Sequence, residues 1–167
     1  LLAAQKLLLD QDIITELVIA GGGPLEEHFK NKEGITFLGM FPHDQAQKFY
    51  EKIDFFILPS LTTSTWKEQF GRVIIESVAA GKMVIGSSSG AIPEVLGRLG
   101  IDYIFNEGNS TDMARVIALA IHNWKSGILE QQLESAVKKN KDLFCEKAVV
   151  ERVSGYFSGK PASDGII

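Results

Sequence analysis

The feature that most constrains this chain is a series of short apolar runs, each separated from the next by a stretch of helical character. The runs are Leu17–Ala20, Ile35–Leu38, Asp54–Leu58, Met83–Ile85 and Asp102–Phe105, and the helical stretches include Leu1–Leu9, Leu25–Lys32, Asp44–Lys52, Arg72–Ala80 and Thr111–Trp124. Nearly continuous apolar runs that alternate with helices are typical of parallel strands covered on both faces. The sequence therefore predicts an α/β fold, a doubly wound parallel sheet with helices on both faces, whose ligand lies at the carboxyl ends of the strands.

The strand pattern stops after Trp124. Two helices are predicted beyond it, at residues 130–140 and 146–157, and residues 158–167 have the glycine and proline content of a flexible tail. We therefore divide the chain into an α/β domain (1–125), C-terminal helices (126–157) and a tail (158–167).

Composition excludes several classes of protein. The chain has 167 residues, and its 17 Lys and Arg against 21 Asp and Glu give a net charge of −4, without the basic face that nucleic-acid binding needs. Its apolar runs are far shorter than the ~20 residues that span a bilayer, and we expect no signal peptide. One cysteine, Cys145, and three scattered histidines do not make a metal cluster, so we expect a cytoplasmic protein without a metal.

Two glycine-containing motifs have plainer interpretations than catalysis. Gly21–Gly23 follows a strand, but Glu26 stands where the dinucleotide fingerprint needs its third glycine. Gly86–Gly90 fits G-x-S-x-G with Ser88 as the nucleophile, but the sole downstream histidine, His122, lies within a predicted helix. A flexible Ser/Gly loop accounts for that segment, and a Ser88 hydrolase stays a rival hypothesis.

The richest segment runs from Ser64 to Glu76. Gly71 precedes a predicted helix, where the amides of Gly71, Arg72 and Val73 lack helical acceptors and carry the positive end of the dipole, an arrangement suited to phosphate. Glu76, one turn further in an otherwise apolar stretch, needs a partner. That partner is either a sugar diol or Arg72 four residues earlier. Glu68 is likewise either a ligand residue, a solvated carboxylate or an acid at the helix N-terminus.

The order of motifs around this segment resembles a known enzyme family. Residues 68–76 form E-x-F-G-x-x-x-x-E, residues 77–87 read S-V-A-A-G-K-M-V-I-G-S, and residues 90–95 read G-A-I-P-E-V. Residues 17–24, 35–39 and 54–60 match upstream, so the likeness covers about residues 1–125. This series is similar to the donor-binding half of retaining GT-B glycosyltransferases of the family 4 type. Ser77 and Met83 depart mildly from the usual Ala and Pro.

The resemblance implies a Rossmann-like domain, the C-terminal half of a GT-B fold, with its first strand missing along with the amino-terminal acceptor domain. Glu68 would be the catalytic residue that holds hydroxyls of the donor sugar, and Glu76 would bind the ribose diol. The remaining nucleotide-sugar contacts would come from Phe70, Gly71, Arg72, Val73, Gly22, Gly23, Gly39, Met40, Phe41 and Ser60, of which Gly39, Met40 and Phe41 would line the base pocket.

The implied activity is transfer of a hexose from a UDP- or GDP-sugar, without a metal, to a saccharide or glycolipid in glycan or cell-envelope biosynthesis. We expect the fragment alone to be inactive, because the family's phosphate-clamping Arg and Lys precede this segment. Any peripheral membrane association would belong to the full-length enzyme. The alternative is a non-catalytic nucleotide-binding or interaction module of the same fold.

Overall fold

A computed structural model of the chain describes residues 1–40 and 46–140. Helices and strands alternate along it as the apolar runs predict. The helices are α1 (Leu2–Leu9), α2 (Ala46–Tyr50), α3 (Arg72–Ala79), α4 (Ile92–Leu99), α5 (Ser110–Lys125) and α6 (Ile128–Lys139), and the strands are β1 (Leu17–Ala20), β2 (Ile35–Gly39), β3 (Phe55–Leu58), β4 (Met83–Ser87) and β5 (Ile104–Phe105).

The core of the molecule surrounds β4. Strands β3, β4 and β5 form a parallel sheet in that spatial order, with Ile57 opposite Ile85 and Gly86 opposite Ile104. Every residue of β4 is buried, since the strand has a neighbour on each edge and α3, α4 and α5 all contact it. The apolar run that predicted this strand is therefore the centre of the hydrophobic core.

A second parallel sheet contains β1 and β2, with Leu17 opposite Ile35. Both strands are only partly buried. Helix α1 connects this sheet to the core: Leu8 is buried among core residues, while the Gln5 side-chain amide donates to the carbonyl oxygens of Thr15 and Gly34, each at 3.0 Å. One short helix thus contacts the main core through Leu8 and the residues beside the two-stranded sheet through Gln5.

The α/β fold class predicted from the sequence is confirmed, with local differences. The helix predicted at 25–32 is only a 3₁₀ turn at Glu26–His28, because Leu25 is exposed and the segment has no apolar stripe to bury. Strand β4 extends through Gly86 and Ser87, where the sequence predicts a loop. The described strands form two sheets rather than one.

The C-terminal boundaries remain predictions. Helix α6 is the first of the two helices predicted after Trp124, and its Leu129 and Ala136 are part of the main core. The predicted helix at 146–157 and tail at 158–167 lie outside the described residues. Within residues 1–40 and 46–140, no helix combines the length and the apolar character needed to cross a membrane.

Candidate functional site

The predicted acid Glu68 lies in the loop between β3 and α3, at the carboxyl edge of the three-stranded sheet. Its Oε1 accepts a hydrogen bond from the Gly71 amide at 3.2 Å. Its backbone carbonyl oxygen accepts from the Ala91 amide at 3.0 Å, a residue of the loop that follows β4. Two adjacent loops therefore fix the position of this carboxylate.

Gly71 is the N-cap of α3 and adopts a left-handed conformation with φ of 54°. A Cβ at this position would lie 2.7 Å from Ile74 Cδ1, so glycine satisfies both the backbone conformation and the close packing. The amides of Arg72 and Val73 stand in the first turn of α3, where no preceding helical carbonyl is available to them. The Gly71 amide also lacks a helical acceptor, and here it donates to the Glu68 side chain.

Glu76 projects from α3 toward Arg72, whose Nε lies 2.9 Å from Glu76 Oε1. The side chains are 30% and 67% exposed respectively, so water screens the pair and it contributes only about 0.2–0.5 kcal/mol. The ion pair left open by the sequence is therefore present, and water reaches the rest of this partly exposed carboxylate. Burial, and to a smaller extent the charge of Glu76, raises the pKa of the Tyr50 hydroxyl.

Gly22, Gly23, Gly39 and Met40 meet at the carboxyl ends of β1 and β2. The Gly21 amide donates to the Gly39 carbonyl oxygen at 2.7 Å, and a Cβ on Gly22 would lie 2.9 Å from Met40 Sδ. Met40 is 80% exposed and so presents an apolar surface at this edge. The predicted neighbour Phe41 lies outside the described residues.

Sequence reasoning missed a hydrogen-bond network that joins the loops after β3, β4 and β5. The Thr62 amide donates to Glu107 Oε2 at 2.9 Å, and the Glu107 amide donates to Ser88 Oγ at 3.0 Å. Thr62 Oγ1 and Ser89 Oγ are also 3.0 Å apart. Hydrogen bonding from Thr62 lowers the pKa of Glu107. No local signal could find contacts between residues 45 positions apart.

This network corrects the flexible-loop interpretation of Gly86–Gly90. Ser87 and Ser89 are fully buried, and Ser87 Oγ donates to the Ser60 carbonyl oxygen at 2.7 Å. Ser88 Oγ accepts the Glu107 amide, while His122 lies far along α5. At 1.5 Å per residue, His122 is about 15 Å beyond the first turn of that helix, which does not favour a Ser88 nucleophile.

Gly90 is a further positioning residue that the sequence could have revealed. It begins the G-A-I-P-E-V segment, adopts φ of 55°, and lies so near Glu68 that an added Cβ would be 2.9 Å from the Glu68 carbonyl carbon. The glycine lets the loop after β4 approach the backbone of Glu68.

The predicted residues thus fall into two groups. Ser60, Glu68, Gly71, Arg72 and Val73 lie in the loop after β3 or in the first turn of α3, together with Phe70, which is 56% exposed, and Glu76 lies one turn further along α3. Gly22, Gly23, Gly39 and Met40 lie at the corresponding edge of the two-stranded sheet. Backbone amides and carboxylates concentrated at strand ends suit a phosphorylated, hydroxyl-rich ligand.

The matching family and two similar proteins are glycosyltransferases. Residues 1–141 match the family of glycosyl transferases group 1. A glycosyltransferase of Methanocaldococcus jannaschii is 32% identical over 88 residues, covering 48% of this chain and 21% of that protein. The phosphatidylinositol N-acetylglucosaminyltransferase gpi3 subunit of Schizosaccharomyces pombe is 34% identical over 86 residues, covering 47% and 18%.

Solved structures share the fold at low sequence identity. Sucrose-phosphate synthase from Thermosynechococcus elongatus superposes with a TM-score of 0.68 at 17% identity, over 94% of this chain and 42% of that one. HepE of Anabaena, solved with UDP and glucose, gives 0.56 at 16% identity, over 94% and 52%. The chain spans about half the length of these structures and about a fifth of the curated relatives. On the family match and this GT-B-type α/β fold, the chain belongs to the group 1 glycosyl transferases.

Proposed function

We propose that this chain is the donor-binding domain of a retaining glycosyltransferase of the family 4 type. It binds a UDP- or GDP-sugar and takes part in hexosyl transfer to a saccharide or glycolipid acceptor in glycan or cell-envelope biosynthesis, in the cytoplasm. The observation that carries this proposal is the placement of Glu68 and the first-turn amides of α3 at the carboxyl edge of the sheet, with Glu76 one turn further along the same helix. The fold likeness to HepE, which was solved with UDP and glucose, supports a nucleotide-sugar ligand.

In this proposal each polar group has a chemical task. The Arg72 and Val73 amides point their positive ends at the diphosphate. The Glu76 carboxylate accepts hydrogen bonds from the two ribose hydroxyls, and the Glu68 carboxylate accepts hydrogen bonds from hydroxyls of the sugar. When the bond between the anomeric carbon and the phosphate oxygen breaks, negative charge grows on the diphosphate. Preoriented amides stabilise that charge without reorganising, and together with the Arg and Lys expected in the complete enzyme they would do so without a metal.

The sheet topology supports membership in a longer enzyme. Among the described strands, β1 pairs only with β2, and β3 pairs only with β4. A doubly wound sheet has the strand order 3-2-1-4-5-6. If β1 to β5 are its strands 2 to 6, the pair β2-β1 lies on one side of strand 1 and β3-β4-β5 lies on the other. We infer that this strand, the phosphate-clamping cations and an acceptor domain belong to the complete enzyme. The fragment alone then binds nucleotide weakly and does not transfer sugar.

The decisive experiment separates the ribose role of Glu76 from its ion pair with Arg72. Thermal shift and calorimetry with UDP, GDP, ADP and their sugars first identify the nucleotide that binds the unchanged chain. Glu76→Ala then removes both the carboxylate and the pair, whereas Arg72→Ala removes the pair and keeps the carboxylate and the residue-72 amide. Charge-assisted hydrogen bonds contribute roughly 1.5–3 kcal/mol each, so Glu76→Ala should weaken nucleotide binding at least about tenfold.

The control variant decides between the interpretations. Arg72→Ala should change nucleotide affinity by less than about threefold, because an exposed pair contributes little. Equal losses in both variants would assign Glu76 to the ion pair and contradict a ribose contact. A chain that binds none of the nucleotides but is captured by another protein would favour the non-catalytic interaction module.

A further inference from the structure

Three loops at the carboxyl edge of the three-stranded sheet are tied to one another around Glu107. Glu107 lies in the loop after β5, and its carboxylate accepts the Thr62 amide from the loop after β3 at 2.9 Å. Its own amide donates to Ser88 Oγ in the loop after β4 at 3.0 Å. One residue therefore contacts both neighbouring loops through different atoms.

The segment from Thr62 to Glu68 is held at both ends by the loop after β4. At one end Thr62 Oγ1 lies 3.0 Å from Ser89 Oγ, and at the other the Glu68 carbonyl oxygen accepts the Ala91 amide at 3.0 Å. Between them, the Thr63 amide donates to the Trp66 carbonyl oxygen at 2.8 Å, which closes a compact turn. Thr62 and Glu68 thus belong to one short segment that the loop after β4 contacts at both ends.

Glu107 supplies the charged acceptor in this arrangement. A hydrogen bond from a backbone amide to a carboxylate is shorter and stronger than one to a neutral oxygen. The pKa of Glu107 is lowered by hydrogen bonds from Thr62 and Ser89, so the carboxylate is ionised at neutral pH. Glu107 is itself exposed, and its replacement does not open a cavity in the core.

We propose that Glu107 is a positioning residue of the donor site, which acts through Thr62 and the loop after β4 to place Glu68 against the sugar. This inference rests on the proposed function, because it assigns Glu68 to the sugar rather than to the nucleotide. Its consequence is specific: Glu107 affects the sugar part of the ligand more than the nucleoside diphosphate, which Glu76 and the α3 amides hold.

The test compares Glu107→Ala, Glu107→Gln and the control Asp102→Ala, a change at an exposed acid just before β5. Amide hydrogen exchange of Thr62 reports the loop connection directly. NMR titrations with UDP and UDP-glucose, and with GDP and GDP-mannose, give the affinity ratio of sugar nucleotide to nucleoside diphosphate. We expect Glu107→Ala to lose Thr62 protection and to lower that ratio at least threefold, while Asp102→Ala changes neither. Glu107→Gln should restore most of both, since its amide oxygen still accepts.

Two results would overturn the proposal. In the first, Glu107→Ala leaves Thr62 protected, which shows that the carboxylate does not hold the loop. In the second, protection is lost but the affinity ratio stays constant, which shows that the loop connection does not place Glu68. If the unchanged chain binds no nucleotide, the proposed function fails, and the exchange measurement still decides separately whether Glu107 holds the loop.

Discussion

The contact between Gly90 and Glu68 gives a quantitative test of how the site is held. Gly90 has φ of 55°, and a Cβ added there would overlap the Glu68 carbonyl oxygen and would lie 2.9 Å from both the carbonyl carbon and the amide nitrogen of Glu68. Nonbonded carbon atoms rest at about 3.5–4.0 Å, so Gly90→Ala must displace the Glu68 backbone by at least about half an ångström. That displacement weakens the 3.0 Å hydrogen bond from the Ala91 amide to the Glu68 carbonyl oxygen.

A matched control isolates this steric effect from backbone strain. Gly100 also has a left-handed conformation, with φ of 73°, but no atom lies within 4 Å of its added Cβ. Gly100→Ala should therefore cost only the left-handed backbone, about 1–2 kcal/mol. Gly90→Ala adds the displaced hydrogen bond and should lower the free energy of unfolding by about 2–4 kcal/mol.

Urea and thermal unfolding of the two variants measure the difference. For a chain of this size each kcal/mol lowers the melting temperature by about 2–4 °C, so Gly90→Ala should melt at a lower temperature than Gly100→Ala. Gly90→Ala should in addition reduce the affinity for a sugar nucleotide more than for the nucleoside diphosphate, as Glu68 moves. Equal destabilisation by the two substitutions would refute the reasoning, because the loop after β4 would then not hold Glu68 by close contact.

Two further predictions concern acid stability and the role of α1. Hydrogen bonds from Asn106 and Arg115 lower the pKa of Asp112, and hydrogen bonds from Thr62 lower the pKa of Glu107. A carboxyl whose pKa is lowered by folding stabilises the fold above its unfolded pKa of about 4. It loses that contribution as the pH falls through its folded pKa. The urea concentration at the midpoint of unfolding should therefore decrease as the pH is lowered below about 4. The combined change Glu107→Gln with Asp112→Asn should make this decrease smaller, and a decrease of unchanged size would contradict the prediction. Leu8→Ala should cost about 2–5 kcal/mol by leaving a cavity, since Leu8 is 2% exposed, while Leu9→Ala next to it, at a position 59% exposed, should change stability by less than about 0.5 kcal/mol. Similar losses in the two leucine variants, measured by urea unfolding, would show that α1 is not packed as described.

Much of the secondary structure followed from local patterns. The run Leu17–Ala20 predicts β1 with its observed bounds, because four consecutive apolar residues bounded by glycine need a partly or fully covered strand. The glycine at position 71 likewise predicts the start of α3. Residues 25–32 gave a wrong helix because they have no apolar face to bury. The contacts of Lys30 with Glu26 and Glu27 are spaced for a helix but are too weak to hold one without that packing.

The partners of the functional carboxylates could not be predicted in the same way. Glu76 had two candidate partners at the sequence level, and the structure brings Arg72 to it. Glu68 accepts a hydrogen bond from the Gly71 amide, a contact that the spacing of the two residues does not specify. Side-chain hydrogen bonds depend on rotamers and on neighbouring loops, and neither is encoded by spacing alone.

The amino-acid sequence by itself determined the order of strands and helices, the buried character of β4 and the motifs around Glu68. Hydrophobic periodicity and glycine positions act over only a few residues, so they can be read locally. Tertiary structure alone decided that Thr62, Ser88 and Glu107 meet and that Gly90 touches the backbone of Glu68. It also decided that β1 and β3 belong to separate sheets. Those contacts join residues far apart in the chain, and they form only when the loops at the strand ends are brought side by side by the packing of the sheet.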